Sequence, residues 1–486
     1  MNKPVTPSLL KRKILLSVLI ALPLLLFWSH ESDLASNLAQ QRPILLGRYT
    51  EAYLGLLLLL SGAALAAWIF IWAPGLRKAL QKQPLLYCFR LCSLLFSVLL
   101  CLFFADLAWR LQRQRYYKKS EADDFYSRMP NHVYEGDFQD KPAYPFSYPL
   151  APPPAPPSHW RLSTDEHGFR NQQSLAKYDW LVVGDSFAEG SRVSDQETWV
   201  SLLQEQSGQS FYNAAVSGGS PLTYLRALQS MADKIPSDGV LYMLYEGNDF
   251  RASNYRRAAH AARLSPKRLK KYLQSSPVRG AVKSVFIQCF GTLGSRRFAH
   301  DSAVLEPAHR LYPLSWLPFQ VNKEYGNHFS FDVKRLQDHY ISEAEFLNDE
   351  GGKESLRLII EFKQECDRLG RRMILLYAPD KPHVLLPSIA EKLPEPQLHA
   401  FCKTRTGNWP PENQLYEKLL EGIETRENIV RRLCLQENIE FISLSPLLKE
   451  KIAAGEQSYF CYDQHWSKAG HQSVAEFLLK NPALQQ

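Results

Sequence analysis

Three long apolar runs lie within the first 110 residues of this 486-residue chain, and no run of comparable length follows. Crossing the hydrocarbon core of a bilayer takes about 20 helical residues. The runs are at about 14–28, 52–72 and 88–108, and Arg90 in the third can extend its charged end towards the headgroups. The pattern predicts three transmembrane helices, so that residues 1–110 form a membrane region.

The charges around these runs bear on cleavage and orientation. The first run follows Lys11, Arg12 and Lys13, as in a signal peptide, but no small-residue cleavage site follows Trp28. If the N-terminus is cytoplasmic, seven Lys and Arg residues flank the spans on each side of the membrane. Because the N-terminal flank usually carries the most weight, we favour a cytoplasmic N-terminus. This orientation in a bacterial inner (cytoplasmic) membrane places everything after Trp109 on the extracytoplasmic side.

Composition and charge limit the classes of function. The chain has 8 Cys and no C-x-x-C pair, which excludes a disulfide-dense scaffold and a zinc ribbon. The net charge is +8, and residues 251–300 contain 12 basic residues and no acidic one. Since no nucleic-acid-reading motif accompanies it, this stretch fits anionic lipid, anionic polysaccharide or plain solvent. We predict no nucleic-acid partner.

The rest of the chain is typical of a linker followed by one α/β domain. Residues 111–160 are charged and then proline-rich, which favours an extended spacer. In residues 161–486, apolar strands alternate with amphipathic helices, which predicts a parallel sheet covered on both faces. The predicted strands are Trp180–Val183, Ser210–Asn213, Gly239–Tyr245, Met373–Tyr377 and Ile439–Leu444, and the longest predicted helix runs from about Asn413 to Gln436.

A basic insertion at about 251–352 interrupts the alternation after the third predicted strand. An insertion at this edge can form a lid or a wall of the substrate site. Its portion Arg256–Leu273 can form a basic amphipathic helix on anionic headgroups. A solvated helical face is an equally good interpretation.

Short polar motifs directly follow the predicted strands, where parallel α/β sheets carry their working residues. Gly-Asp-Ser places Ser186 after the first strand, Asn-x-x-x-x-Gly places Gly218 after the second, and Gly-Asn-Asp places Asn248 after the third. Asp463 and His465 lie two residues apart after the last strand. Singly, these motifs are typical of helix caps and turns. Together they offer a nucleophile, oxyanion donors, and a general base with an orienting carboxylate.

The combined motifs resemble the SGNH hydrolase superfamily, also called GDSL esterases and lipases, over roughly residues 160–486. The resemblance implies a flavodoxin-like three-layer α/β fold. It also implies that Ser186 is the nucleophile, that Asp463 and His465 are acid and base, and that an oxyanion hole is formed by Ser186, Gly218 and Asn248. The Asp-x-His-Trp spacing at Asp463–Trp466 looks like that of alginate-type bacterial polysaccharide O-acetyltransferases, so acyl transfer stays open beside hydrolysis.

We therefore expect a membrane-anchored serine esterase that acts, through an acyl-enzyme, on acyl esters, O-acetyl in particular, of a cell-envelope glycan or lipid. Envelope polysaccharide machinery is the expected partner. An O-acyltransferase and a non-catalytic envelope binding protein are the alternatives.

Other polar residues near these motifs have structural interpretations. His471 is expected to pack in the closing helix, and Asp185 and Asp249 are expected to stabilise turns. No Walker loop, G-x-G-x-x-G or metal-ligand spacing occurs, so we expect no cofactor and no metal.

Overall fold

The computed structural model describes residues 7–29, 51–73, 82–114, 117–119, 126–140, 156–251, 316–322, 327–390, 394–402 and 409–485. The chain divides into two compact units, and each is described by itself. The first unit contains residues 1–112, 146–149 and 265–313, and the second contains residues 113–145, 150–264 and 314–486.

Long helices form the described part of the first unit. They are α1 (Pro7–Ser29), α2 (Glu51–Trp72) and α3 (Pro84–Gln114), whose last two residues belong to the second unit. The Trp28 indole donates to Ser61 Oγ and the Trp72 indole donates to Ser17 Oγ, each at 3.0 Å, so α1 and α2 lie antiparallel.

One helix in the described part of the chain is long and apolar enough to cross a membrane. It is α2, whose stretch Gly55–Trp72 has a mean hydropathy of 2.1 and is 6% buried. The other two spans, and hence the number three, stay predictions.

The second unit contains the remaining described elements. Its strands are β1 (Tyr117–Lys119), β2 (Tyr126–Arg128), β3 (Val133–Phe138), β4 (Ser158–Ser163), β5 (Tyr178–Val183), β6 (Phe211–Asn213), β7 (Ser237–Tyr245), β8 (Trp316–Asn322), β9 (Asn327–Asp332), β10 (Arg372–Ala378) and β11 (Glu440–Ser443). Its helices are α4 (Ser186–Glu189), α5 (Trp199–Ser207), α6 (Pro221–Met231), α7 (Val333–Gln337), α8 (Glu343–Asn348), α9 (Glu350–Arg368), α10 (Lys381–Ile389), α11 (Glu395–Cys402), α12 (Leu415–Gly422), α13 (Thr425–Gln436), α14 (Ser445–Ala453), α15 (Lys468–Leu479) and α16 (Pro482–Gln485).

A five-stranded parallel sheet organises the second unit. Its spatial order is β11-β10-β7-β5-β6, and every neighbouring pair is parallel. Numbered along the chain, this is the 2-1-3-4-5 order of flavodoxin-like sheets, in which ligands bind beyond the carboxyl ends of the strands. The predicted α/β class with a parallel sheet is confirmed, and all five predicted strands are present.

The central strands are apolar over most of their length because both faces of the sheet are covered. On β7, Val240, Tyr242 and Leu244 point into a core cluster that also contains residues of α6, α9 and α13. Leu241 and Met243 point the other way and are also fully buried. Parallel sheets with helices on both faces read as continuous hydrophobic runs, which is why periodicity identified these strands.

The predicted helix Asn413–Gln436 is not continuous, and that prediction was wrong. The structure has a short 3-10 turn, then α12 and α13 separated by two residues. At the end of α12, a Cβ on Gly422 would lie 2.0 Å from the carbonyl oxygen of His339. The backbones touch there, and only glycine permits that approach.

Parts of two other predicted segments are folded. The 111–160 stretch, expected as a linker, contains β1, β2 and β3, and β3 pairs antiparallel with β4. The 251–352 insertion contains the β8–β9 hairpin, α7 and α8. The expected basic helix Arg256–Leu273 lies outside the described residues.

Candidate active site

A tight turn at the end of β5 presents Ser186. The Asp185 side chain caps α4 by accepting the Phe187 amide at 2.9 Å. A Cβ on Gly184 would lie 2.6 Å from Ala188 Cβ, so the turn requires a glycine there. Ser186 is 8% exposed and lies beyond the carboxyl end of β5.

The structure brings Ser186, His465 and Asp463 into one hydrogen-bonded chain. His465 Nε2 lies 2.7 Å from Ser186 Oγ, and His465 Nδ1 lies 2.5 Å from Asp463 Oδ1. In the neutral tautomer with the proton on Nδ1, the imidazole donates to Asp463 and accepts the Ser186 hydroxyl proton at Nε2. This arrangement can generate a serine nucleophile. Residues 279 positions apart in sequence form the Ser186–His465 contact.

Asp463 is held as a carboxylate. Burial acts to raise its pKa, but the hydrogen bonds from His465 and the charge of Arg192 outweigh burial and hold the pKa well below its usual range. Arg192 Nε lies 3.4 Å from Asp463 Oδ2, and the guanidinium stacks on the Phe138 ring at 4.9 Å. An ionised Asp463 can therefore fix the His465 tautomer and stabilise the imidazolium once it forms.

Asp140, two residues after β3, clamps the loop that carries Asp463 and His465. Its carboxylate accepts the backbone amides of Cys461, Tyr462 and Asp463 at 2.5, 2.9 and 3.2 Å. Burial raises the pKa of Asp140, although these amides oppose the shift. Three successive amides on one buried carboxylate leave this loop few alternative conformations.

Lys381 supports the same loop from α10. Its Nζ donates to the carbonyl oxygens of Ser330 and Cys461 at 3.0 and 2.9 Å. Burial lowers the pKa of Lys381 to about 8, with the Asp140 charge acting in the opposite direction. The side chain is 2% exposed, so it acts on the loop from the interior.

Aromatic rings position the imidazole from behind. Phe187 stacks on Tyr245 with ring centroids 4.0 Å apart and lies 5.1 Å from both His465 and Trp466. Trp466 is fully buried. The tryptophan of the Asp-x-His-Trp motif therefore packs behind the loop and does not line an open site.

The three residues predicted for the oxyanion hole, Ser186, Gly218 and Asn248, have different surroundings in the structure. Ser186 begins α4, as expected. Asn248 Nδ2 donates to Asp185 Oδ2 at 2.9 Å, which fixes the plane of the amide. Gly218 is exposed with φ 74°, a left-handed conformation that favours glycine. The same loop contacts the nucleophile turn, because the Val216 amide donates to the Gly184 carbonyl at 3.0 Å. Their oxyanion role stays a prediction.

The polar residues expected to be structural are buried in structural contacts. Asp249 accepts the Tyr245 amide and the Tyr224 hydroxyl at 2.8 and 2.9 Å. His471 packs in α15, accepts the Trp199 amide at 3.3 Å, and has its pKa lowered to about 3 by burial.

The residues that sequence reasoning missed have no local signal. Asp140, Arg192 and Lys381 reach the site from distant segments or isolated positions. A buried cluster of Glu246, His339 and Asp380 also has ligand atoms close enough to hold a metal ion. These three residues span 134 positions, so no motif spacing could have indicated them.

Comparison with known proteins gives structural matches alone. No protein-family model and no curated protein matches the chain. The solved structure of TesA is 14% identical, with 62% of this chain and 98% of TesA covered and a TM-score of 0.29. The psychrotrophic esterase EstA from Pseudoalteromonas is 10% identical, with 63% and 98% covered and a TM-score of 0.28. A lipolytic G-D-S-L family protein from Veillonella parvula is 11% identical, with 63% and 99% covered and a TM-score of 0.30.

These neighbours include lipolytic G-D-S-L family proteins, the superfamily that the motifs resemble. Identities of 14% or less and TM-scores of 0.30 or less carry no argument about this chain.

Proposed function

We propose that the protein is a serine hydrolase of acyl esters that works through an acyl-enzyme. The observation that carries the proposal is the continuous contact from Asp463 through His465 to Ser186, at 2.5 and 2.7 Å. A capped helix turn needs no such chain, and a packing histidine needs no partner on both ring nitrogens. An Asp-His-Ser chain is the arrangement that activates a serine for attack on an acyl carbon.

The acylation step follows from the tautomer that Asp463 fixes. Ser186 Oγ attacks the ester carbonyl carbon while its proton moves to His465 Nε2. The carbonyl oxygen becomes an oxyanion, which the Ser186 and Gly218 amides and the Asn248 side chain stabilise in this proposal. The C–O bond to the leaving alcohol then breaks, and the His465 imidazolium donates its Nε2 proton to that oxygen.

Deacylation repeats the same steps with water. His465 takes a proton from water, the resulting hydroxide attacks the acyl carbon, and Ser186 leaves with the proton returned by His465. The products are a carboxylic acid and an alcohol, and the enzyme is regenerated.

The enzymatic test is turnover of p-nitrophenyl esters of increasing acyl length by the purified full chain in detergent. We expect turnover in the wild type and in Ser174→Ala, whose serine is exposed and away from the site. We expect Ser186→Ala and His465→Ala each to lower kcat by at least about three powers of ten. Equal turnover in all four proteins would exclude this mechanism.

Within this proposal the acyl group, O-acetyl in particular, is carried by a cell-envelope glycan or lipid. The apolar helix α2 supports membrane anchoring, and the expected partner is the machinery that makes an envelope polysaccharide. The proposal has the domain outside the cytoplasm. Reporter fusions after Gln114 test the orientation, and a cytoplasmic reporter would exclude envelope substrates.

Transfer to a sugar hydroxyl differs from hydrolysis in the acceptor alone. The resemblance to O-acetyltransferases comes from the Asp-x-His-Trp spacing of Asp463–Trp466, in which Trp466 is buried behind the loop. Product analysis with and without a glycan acceptor distinguishes the two: hydrolysis gives free acid regardless, and transfer gives acylated glycan. If the folded protein reacts with no ester and no serine probe, a non-catalytic envelope binding role becomes the better account.

A further inference from the structure

A buried group of acidic and histidine side chains lies beside the proposed catalytic site. Glu246 directly follows β7, Asp380 caps α10 after β10, and His339 follows α7. These three side chains are no more than 1% exposed. None of them takes part in the proposed reaction.

His339 faces a carboxylate with each of its ring nitrogens. Nε2 lies 2.8 Å from Asp380 Oδ1, and Nδ1 lies 3.9 Å from Glu246 Oε1. A neutral imidazole has one N–H, and the contact to Asp380 uses it, so a lone pair on Nδ1 faces a carboxylate oxygen. The 3.9 Å separation is too long for a hydrogen bond even when the imidazole is protonated. A cation between His339 Nδ1 and Glu246 Oε1 would contact both atoms, and protonation of His339 is the alternative source of positive charge.

Several polar atoms of these residues and of the neighbouring His383 have no hydrogen-bond partner within the described part of the chain. They are Glu246 Oε1, His339 Nδ1, Asp380 Oδ2 and His383 Nε2. Buried polar atoms in native proteins are normally hydrogen-bonded, and each exception calls for an explanation such as an ion. A single cation satisfies more than one of these atoms.

We propose that Glu246, His339 and Asp380 bind a divalent transition-metal ion, with Zn²⁺ as the best match. The three residues each offer one ligand atom, and these atoms lie within 4.8 Å of one another. Ligands bound at about 2.0–2.2 Å to a tetrahedral ion lie roughly 3.3–3.6 Å apart, so ligand atoms that are now up to 4.8 Å apart must approach by about 1.2–1.5 Å to close the site. An imidazole with two carboxylates suits zinc, whereas Mg²⁺ and Ca²⁺ prefer oxygen alone.

The surroundings fit a structural ion. His383 Nδ1 contacts Glu246 Oε2 at 2.9 Å, the support that carboxylate ligands usually have. A cavity of about 390 Å³ is lined by Glu246 and by Arg426. The Arg426 charge opposes a cation, but two carboxylates outweigh one guanidinium. The ion ties the ends of β7 and β10 to the segment after α7.

Metal analysis of the purified full chain tests this site independently of esterase activity. The affinity tag is removed, the detergent-solubilised protein is dialysed against metal-free buffer, and bound metals are measured by mass spectrometry. We expect about one equivalent of Zn²⁺ per chain, and less than about a tenth of an equivalent in His339→Gln. His159→Gln, which changes a largely exposed histidine, is the matched control and keeps the metal.

A second measurement covers the case in which His339→Gln fails to fold. Wild-type protein is stripped with a chelator and its thermal unfolding is followed during Zn²⁺ addition, with Mg²⁺ in parallel. We expect Zn²⁺ at about 100 times its Kd to raise Tm by about 5 °C or more, and Mg²⁺ to leave it unchanged. Folded wild-type protein that holds no metal and gains no stability from Zn²⁺ overturns the proposal and leaves a protonated histidine between the carboxylates.

Discussion

The oxyanion role proposed for Asn248 can be tested directly by mutation. Its amide is oriented by Asp185 at 2.9 Å, on the loop that follows β7. If it donates to the oxyanion, Asn248→Ala lowers kcat by about two to three powers of ten and changes KM little, because one such donor contributes about 3 kcal/mol in the transition state. Steady-state ester hydrolysis measures this. Asn428→Ala, on an exposed face of α13, is the control. A kcat within about threefold of wild type in Asn248→Ala would assign Asn248 to the turn alone.

Lys381 makes stability depend on pH. Its pKa is about 8 in the folded chain and has the ordinary value of 10.5 when unfolded. Between these pH values the unfolded chain holds a proton that the folded chain has released, so the free energy of unfolding rises with pH. Lys381→Met removes this rise. Denaturant unfolding between pH 8 and 10.5 should show that the wild type gains stability relative to Lys381→Met. Lys177 is exposed, so Lys177→Met should show the same pH dependence as the wild type. If the difference in unfolding free energy between the wild type and Lys381→Met stays constant from pH 8 to 10.5, Lys381 does not have a lowered pKa in the folded chain.

At the scale of elements, the segment that runs from β3 to Asp140 supports the loop of Asp463 and His465 through the Asp140 side chain. Asp140→Asn keeps the shape but replaces one acceptor oxygen with a donor, which faces the loop amides of Cys461, Tyr462 or Asp463. We expect the free energy of unfolding to fall by about 1–3 kcal/mol, and kcat to fall about tenfold or more as His465 loses its position. Asp137→Asn, on β3 with a side chain 75% exposed, should behave as wild type. Unchanged kcat in Asp140→Asn would show that the clamp does not position the triad.

The turn between β5 and α4 depends on a glycine. In Gly184→Ala the new Cβ meets Ala188 Cβ at 2.6 Å and Met243 Cβ at 3.1 Å, so the strand or the helix must move. We expect the free energy of unfolding to fall by about 1–3 kcal/mol. We expect kcat to lose a larger fraction of its value than the free energy of unfolding does, because Ser186 moves with the turn. Gly136→Ala, where the nearest atom is 3.6 Å away, is the control. Wild-type kcat in Gly184→Ala would mean that the turn adapts without displacing the serine.

The sequence predicted the strands and motif residues, which depend on local pattern. It did not predict the residues that are positioned by contacts between distant segments. The five sheet strands were predictable because β7 and its neighbours are apolar over most of their length. Ser186 was predictable as a candidate because it follows a strand. Asp463 and His465 were predictable because of their motif before the closing helix, although α14 separates them from β11. Asp140 and His339 were not, because they act across more than 30 residues and follow no repeat. The break at Gly422 was missed because it depends on the backbone of a distant segment.

On the scale of the whole molecule, an apolar helix and a hydrolase-like site occur in one chain. The helix α2 supports attachment to a membrane, and the second unit presents Ser186 at the carboxyl edge of its sheet. In the account proposed here the chain hydrolyses acyl esters next to the membrane that anchors it. That account depends first on whether Ser186 is chemically activated.

The most direct measurement is intact-mass analysis of the purified full chain after reaction with a fluorophosphonate probe. An activated serine attacks phosphorus and retains the phosphonyl group, so the account predicts one adduct per chain, located on Ser186 by peptide mapping. Ser186→Ala and His465→Ala should form none, and Ser174→Ala should label as wild type does. A folded wild-type protein that forms no adduct, or one that labels equally in Ser186→Ala, would contradict the account.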